Sequence, residues 1–309
     1  MKIIINADDF GIDKDRDIGI YRAVKKGYIT SVSVVVTNEI GKFHKKLINR
    51  IRKKASVGIH INLTDNPLLK YSMEDLCEKI YNYPKPKHNF WLNSINNTIH
   101  IDKIKEEIFS QLQKFYESFS FMPEHIDGHN HCNIFNSQIE KIFEEIAERN
   151  KIHLRIPYED LNTFDKNDIE NNNYFEDFEI NKETNLDLIK NNFDYYLKYD
   201  MLLNNYMCEH NCKGDDVVFV GTMYGYFREP QILLKQLLHH QKDVVQVMTH
   251  PGFYFKRIKH NSPFSNKDRV KEYQSLKSVK KSLSALNCQY VTYKTIQAND
   301  LEHKNKIHK

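Results

Sequence analysis

Residues 1–11 of this 309-residue chain read MKIIINADDFG, a short apolar run that ends in two adjacent aspartates. The run predicts a buried first strand, and a helical pattern follows it. A dinucleotide-binding fold would place a glycine-rich phosphate loop here, but Asp8 and Asp9 stand in its place. The opening stretch therefore favours a (β/α) barrel over the alternative, an open doubly wound sheet.

The rest of the chain repeats the alternation of short apolar runs and longer helical patterns. Further strands are predicted over residues 31–36, 56–61, 124–127, 153–156, 217–221, 244–249 and 289–292. Helices are predicted over residues 16–26, 40–53, 102–119, 138–149, 186–206, 229–240 and 266–285. Strands in such an order are usually parallel and covered by helices, so we expect an α/β fold, an irregular TIM-like (β/α) barrel of about seven to eight parallel strands.

The pattern predicts a single domain over residues 1–300, followed by a basic tail at 301–309. Two stretches interrupt the alternation. Residues 65–100 contain several prolines and an asparagine-rich run, and we expect little regular structure there, in a segment placed to act as a lid. Residues 158–185 are rich in Asn, Asp and Glu, which predicts a surface insertion that is poorly ordered in part.

Composition excludes several classes of protein. The 45 basic and 41 acidic residues nearly cancel, which does not suggest a nucleic-acid partner. The apolar run at residues 3–5 is too short for a signal peptide, and no run approaches the length of a membrane span, so we predict a cytoplasmic protein. The five cysteines are then free thiols, with a small zinc site at Cys208, His210 and Cys212 as a weak alternative.

Acidic and imidazole side chains collect where the predicted strands end. In a (β/α) barrel the active site lies at the carboxyl ends of the strands, so these side chains should share one rim. They are Asp8 and Asp9 after the first strand, His60 at the third, Asp127, His129 and His131 at the fourth, Arg155 at the fifth and His250 at the seventh.

These residue types suit a divalent cation. A carboxylate with two imidazoles fits zinc and other first-row metals, and magnesium if several waters complete the shell. Three protein ligands leave coordination positions open, as in catalytic sites. A neighbouring carboxylate could then accept a proton from water, so the pair Asp8-Asp9 supplies both a base and a ligand from one strand end.

Five blocks carry a resemblance to a known family. NADDFG, TSVSVVVT, VGIHINLT, HIDGHNHCN and MTHPGF follow one another in this order up to residue 253. Together they resemble the YdjC-like carbohydrate deacetylases, which include chitooligosaccharide deacetylase. The resemblance implies an irregular (β/α) barrel with one divalent cation, usually magnesium. It implies removal of acetyl groups from N-acetylated oligosaccharides, and a homodimer is compatible with it.

The resemblance also assigns roles at matching positions. Asp8 would be the proton acceptor, and Asp9, His60 and His129 the metal ligands. His250 would be the general acid or the stabiliser of the oxyanion. Residues expected to contact substrate or to orient their neighbours are Asp127, His131, Arg155 and Tyr224.

One departure from the family pattern affects the substrate side. The bacterial pattern is typically DSHHHVH, whereas residues 127–133 read DGHNHCN, so Asn133 replaces the final histidine. This puts substrate contacts in question more than the metal. Two alternatives to a deacetylase remain, a metal-dependent phosphoesterase and a non-catalytic carbohydrate-binding barrel.

Overall fold

The computed structural model describes residues 1–65, 67–80, 86–157, 217–221, 244–253, 266–285 and 288–296, with isolated helical positions at 230, 231, 234 and 237. The chain divides into two compact units. The larger comprises Ile4–Ile156 and Tyr290–Lys309, and the other comprises Met1–Ile3 and Pro157–Gln289. The single domain over residues 1–300 remains a prediction.

Strands and helices alternate along the chain as expected. The larger unit contains β1 (Lys2–Phe10) from its third residue onward, α1 (Lys14–Lys25), β2 (Ser31–Val34), α2 (Lys42–Ile51), β3 (Ser56–Ile61), α3 (Met73–Leu76), α4 (Pro86–Ile95), α5 (Ile101–Phe119), β4 (His125–Gly128), a 3-10 turn (His129–His131), α6 (Ser137–Asn150) and β5 (His153–Leu154). The other unit contains β6 (Val217–Val220), β7 (Val244–Thr249) and α7 (Asn266–Ala285), and β8 (Gln289–Tyr290) follows.

The strands of the larger unit pair in sequence order, β5-β4-β3-β2-β1. Each of these four pairings is parallel, and β6 pairs with β7 in parallel as well. A doubly wound sheet reverses its strand order at a switch point, whereas a barrel adds each strand beside the previous one. The described strands therefore confirm the expected α/β fold of the irregular (β/α) barrel type.

The two faces of the sheet differ in character because side chains alternate along a strand. Val32 and Val34 of β2 are buried on one face, which continues through Ile59 of β3. Helices α2 and α5 pack on β3, and α6 packs on β4 and β5. Ser31 and Ser33 point to the other face and are also fully buried. The apolar core thus lies under the helices, and a buried polar layer occupies the opposite face.

Residues 65–100 contain more regular structure than expected. They form α3 and α4, and Cys77 makes an antiparallel bridge to Ile99. The expectation of little regular structure was wrong because the polar composition hides local helix signals. The Asp75 carboxylate accepts a hydrogen bond from the Ser72 backbone N–H (3.0 Å) at the start of α3. Pro86 begins α4 at a position where its missing N–H costs nothing.

Several expectations lie outside the described residues. They are the insertion at 158–185, the helix at 186–206, the cluster at Cys208, His210 and Cys212, and the tail at 301–309. Within the described part of the chain, every helix is too short or too polar to cross a lipid bilayer.

Candidate active site

Asp8 and Asp9 both face the same site although they are adjacent in β1. Neighbouring side chains of a regular strand point to opposite faces, but between Ala7 and Phe10 two residues of β1 lie opposite one residue of β2. Asp9 adopts a left-handed backbone conformation with φ of 70° at this bulge. The irregularity directs both carboxylates to His60, whose Nε2 lies 3.7 Å from Asp8 Oδ2 and 3.7 Å from Asp9 Oδ1.

Three donor atoms converge at the carboxyl ends of β1, β3 and β4. Asp9 Oδ1 lies 3.2 Å from His129 Nδ1, which lies 3.3 Å from His60 Nε2. All three side chains are buried, and they form the one cluster among the described residues able to hold a metal ion. Ligands bonded at about 2.1 Å would lie about 3.0 to 3.4 Å apart in octahedral or tetrahedral geometry. Two of the three separations lie in this range, and the third, 3.7 Å between Asp9 Oδ1 and His60 Nε2, lies slightly above it. The donor types and two of the three separations therefore fit a divalent cation.

A buried carboxylate fixes the orientation of His60. Asp127 Oδ1 lies 2.6 Å from His60 Nδ1, and both side chains are almost fully buried. With the proton on Nδ1, the Nε2 lone pair faces Asp9 and His129. Burial raises the pKa of Asp127, but Arg155 and His60 outweigh burial and hold the pKa far below its ordinary value. Asp127 is therefore ionised and able to accept the hydrogen bond from His60 Nδ1.

A second carboxylate holds His129 from the other side. Asp65 Oδ2 lies 2.9 Å from His129 Nε2, while Nδ1 faces Asp9. Burial alone lowers the pKa of His129, and the contacts with Asp65 and Asp9 reverse that effect and raise it to about 9, so without a cation both ring nitrogens carry a proton, and metal binding would release the one on Nδ1. Each histidine thus presents one ring nitrogen to the centre of the site and the other to a carboxylate, as metal-binding histidines commonly do.

Asp8 is paired with an arginine in two parallel hydrogen bonds. Arg155 Nη1 and Nη2 lie 2.7 and 2.8 Å from the two Asp8 oxygens, and Nη1 also lies 3.1 Å from Asp127 Oδ2. Burial raises the pKa of Asp8, but the charges of Arg155 and His60 outweigh it and lower the pKa below its ordinary value. Asp8 is thus an ionised, buried carboxylate beside the candidate metal ligands.

A hydrogen-bond network lies beneath these residues on the polar face of the sheet. Asn6 Nδ2 donates to Ser33 Oγ (2.8 Å), and Ser33 Oγ donates to Asp127 Oδ2 (2.6 Å). His125 Nε2 lies 2.9 Å from the same hydroxyl. Gly58 leaves room for this imidazole, because a Cβ at position 58 would come within 2.4 Å of its ring. Burial lowers the pKa of His125 to about 4, so the ring is neutral.

The turn after β4 has a strained backbone. Asn130 and His131 have φ of 50° and 54°, in the left-handed region of the backbone that residues other than glycine rarely adopt. Trp91 of α4 donates its indole N–H to the Asn130 carbonyl (2.9 Å), and Asn130 Nδ2 donates to Thr64 Oγ1 (2.9 Å). The segment expected to be an irregular lid thus holds the turn that follows His129.

Asn133, the departure from the family pattern, is buried. It is 2% exposed, and its amide donates to the Arg155 carbonyl (3.4 Å). Its Oδ1 occupies the space that a Cβ would need at Gly128, at 2.5 Å. Position 133 therefore supports the strand ends.

His250 belongs to the other compact unit and follows β7. Its backbone N–H donates to Glu272 Oε2 (2.5 Å), and its carbonyl accepts from Arg269 Nη1 (3.1 Å). Both partners lie on α7, which fixes the backbone at this strand end. The catalytic role of His250 remains a prediction, and Tyr224 lies outside the described residues.

The structure brings six of the expected residues together, namely Asp8, Asp9, His60, Asp127, His129 and Arg155. Sequence reasoning missed two residues of the site. Asp65 contacts His129, and the Arg16 Nη1 atom lies 3.0 Å from Asp9 Oδ2. Asp65 lies in the loop after β3, and loops at strand carboxyl ends often carry functional residues, so that rule could have found it. An arginine in the first turn of the helix that follows the two aspartates was the available sequence signal for Arg16.

The fold and the site define a (β/α)-barrel protein with a candidate three-ligand metal centre at its strand ends. A comparison with family models identifies the family: residues 2–283 match the YdjC-like protein model, and the chain belongs to this family.

Proteins of named activity are similar to this chain in sequence. A carbohydrate deacetylase of Clostridium beijerinckii is 27% identical over 299 residues, which is 96% of this chain and 100% of the relative. A chitooligosaccharide deacetylase of Salmonella schwarzengrund is 32% identical over 159 residues, 50% of this chain and 58% of that protein. A crystal structure of a putative cellobiose-phosphate cleavage protein from Enterococcus faecalis has the same fold, with a TM-score of 0.64, 18% identity and coverage of 96% and 98%.

Proposed function

We propose that this protein is a carbohydrate deacetylase, a hydrolase that cleaves the amide bond of an N-acetylated sugar with the help of one divalent cation. The observation that carries the proposal is the convergence of Asp9 Oδ1, His60 Nε2 and His129 Nδ1 beside the buried carboxylate of Asp8. The names of the relatives support the substrate class. Magnesium is the proposed ion on family resemblance, although the donor set also suits zinc.

The residues divide the chemistry between them. A divalent cation held by Asp9, His60 and His129 would stabilise negative charge on a carbonyl oxygen and make water more acidic. Asp8 is ionised, and we propose that it accepts a proton from the attacking water. Arg155 keeps Asp8 charged and fixes both of its oxygens. A general base must hold its geometry through the reaction, and this paired arrangement supplies that rigidity.

Departure of the sugar amine needs a proton donor. We propose His250 for this role, as the family resemblance implies. Its backbone is held by Glu272 and Arg269 of α7, which fixes the point of the chain from which the imidazole projects. The cytoplasmic location also remains a prediction from the sequence.

The decisive experiment measures acetate release from N-acetylglucosamine oligomers. The protein is stripped of metal and refilled with magnesium, zinc or cobalt. The wild type is compared with Asp9→Asn and His129→Ala, and with control variants at exposed positions on or beside α5, Asp102→Asn and His100→Ala. We expect metal-dependent acetate release by the wild type and both controls, and loss of release in the two site variants.

The alternatives predict different outcomes. Cleavage of a generic phosphoester without acetate release would replace the deacetylase with a phosphoesterase. Sugar binding that needs metal but yields no product would indicate a non-catalytic binding protein. Equal acetate release before and after removal of metal would overturn the metal-dependent mechanism.

A further inference from the structure

Asp65 contacts His129 on the side that faces away from the candidate metal centre. Its Oδ2 lies 2.9 Å from His129 Nε2, and its side chain is 45% exposed. Asp65 is not one of the three residues whose donor atoms converge on the centre. Its contact repeats the one that Asp127 makes to His60 Nδ1, at 2.6 Å.

The loop that carries Asp65 has a defined conformation. Asn62 Oδ1 accepts hydrogen bonds from the backbone N–H groups of Thr64 (3.1 Å) and Asp65 (3.0 Å). Asn62 Nδ2 donates to the Asp65 carbonyl (2.7 Å). One asparagine side chain therefore closes the turn from both directions and sets where the Asp65 carboxylate projects.

Helix α5 anchors both ends of this loop. Gln111 bonds the Asn62 backbone twice, accepting from its N–H (2.9 Å) and donating to its carbonyl (2.6 Å). Glu107 is fully buried and accepts from the backbone N–H groups of Leu69 (2.9 Å) and Lys70 (2.8 Å). These seven hydrogen bonds, three of them buried and four part-buried, hold the loop that carries Asp65 in place.

We propose that Asp65 is a positioning residue for the metal site, one that keeps the proton of His129 on Nε2 so that the Nδ1 lone pair faces Asp9 and His60. An imidazole carries its proton on either nitrogen, and the hydrogen bond of one nitrogen decides which of the two can bind metal. The inference depends on one part of the proposed function, the binding of a metal ion by Asp9, His60 and His129. It predicts that loss of Asp65 lowers metal affinity, and that any loss of catalysis follows from the weaker metal binding.

The test is a cobalt titration of Asp65→Ala, Asp65→Asn and the wild type, followed by absorbance in competition with a chromophoric chelator. Loss of such a hydrogen-bonding partner typically weakens metal binding about 10- to 100-fold, and we expect this for Asp65→Ala. Asp65→Asn retains an acceptor oxygen without the charge, so its dissociation constant should lie between the other two. Asp75→Asn is the matched control, because the Asp75 side chain is 46% exposed and lies away from the site.

Acetate release at saturating cobalt, measured on the same samples, separates the two proposals. Weaker cobalt binding by Asp65→Ala, together with near-normal cobalt binding by Asp75→Asn, supports the positioning role. That support holds even if the wild type releases no acetate, because the absence of acetate release refutes only the deacetylase proposal. An Asp65→Ala dissociation constant within twofold of the wild type overturns the positioning role. An equal loss in Asp75→Asn also overturns it, as does failure of the wild type to bind cobalt.

Discussion

The two histidines of the candidate metal centre are held by different kinds of structure. The His60 side is built on strands, and the side chains of its carboxylates Asp8 and Asp127 are 2% and 0% exposed. The His129 side is built on a loop and a strained turn, and Asp65 there is 45% exposed. Solvent competes with hydrogen bonds on the second side and not on the first. Substitutions on the His60 side should therefore lower stability and activity together. Substitutions on the His129 side should change metal affinity with a smaller loss of stability.

The largest effect is expected from Asp8→Asn. Removal of a general base typically lowers the rate by about 10²- to 10⁴-fold, and the amide cannot take a proton from water. Because Asp8 is not among the converging ligands, cobalt affinity should change little. The measurement is kcat for acetate release beside a cobalt titration, with Asp102→Asn as the control. An unchanged kcat would remove Asp8 from its proposed role.

Arg155→Met tests how far the stability of the His60 side depends on charge pairing. The substitution leaves Asp8 and Asp127 buried without their shared cation, and loss of one partner of a buried pair costs about 3–5 kcal/mol. Chemical denaturation should show this loss in the free energy of unfolding. Arg50→Met on the exposed side of α2 should lose much less. Similar values for the two variants would contradict the contrast between the two sides.

Gly58→Ala tests the polar layer beneath His60. The added methyl would overlap the His125 ring, since the nearest ring atoms lie 2.4 Å from its position. Overpacking of this kind typically costs about 1–3 kcal/mol. Thermal unfolding should show the loss, and Gly41→Ala is the control because its Cβ would meet no atom within 4 Å. A normal melting temperature would mean that the imidazole can move without cost.

The smallest effect is expected from Trp91→Phe on the His129 side. The ring remains, but the indole hydrogen bond to the Asn130 carbonyl is lost, which typically costs about 0.5–1.5 kcal/mol. Cobalt affinity and kcat should fall less in Trp91→Phe than in Asp65→Ala. Tyr116→Phe, at an exposed aromatic on α5, is the control for removal of a polar atom. A loss as large as that of Asp8→Asn would place Trp91 in the catalytic machinery.

Much of the site could be predicted because its chemistry is local in the sequence. The residues that end β1, β3, β4 and β5 could be assigned once parallel strands were expected, since their carboxyl ends meet at one edge. The triad of Asp9, His60 and His129 follows from that rule together with the family resemblance. Helix α4 was missed because its signals lie within a polar, proline-containing stretch.

The sequence by itself determined the alternation of strands and helices, the parallel order and the types of side chain that meet at the strand ends. Only the tertiary structure decided how those side chains are aimed. Alternation along a regular strand would send Asp8 and Asp9 to opposite faces, and the bulge with Asp9 at φ of 70° brings them together. Asp65 reaches His129 across 64 residues of chain. Such contacts depend on loop closure and packing, which no local pattern in the sequence encodes.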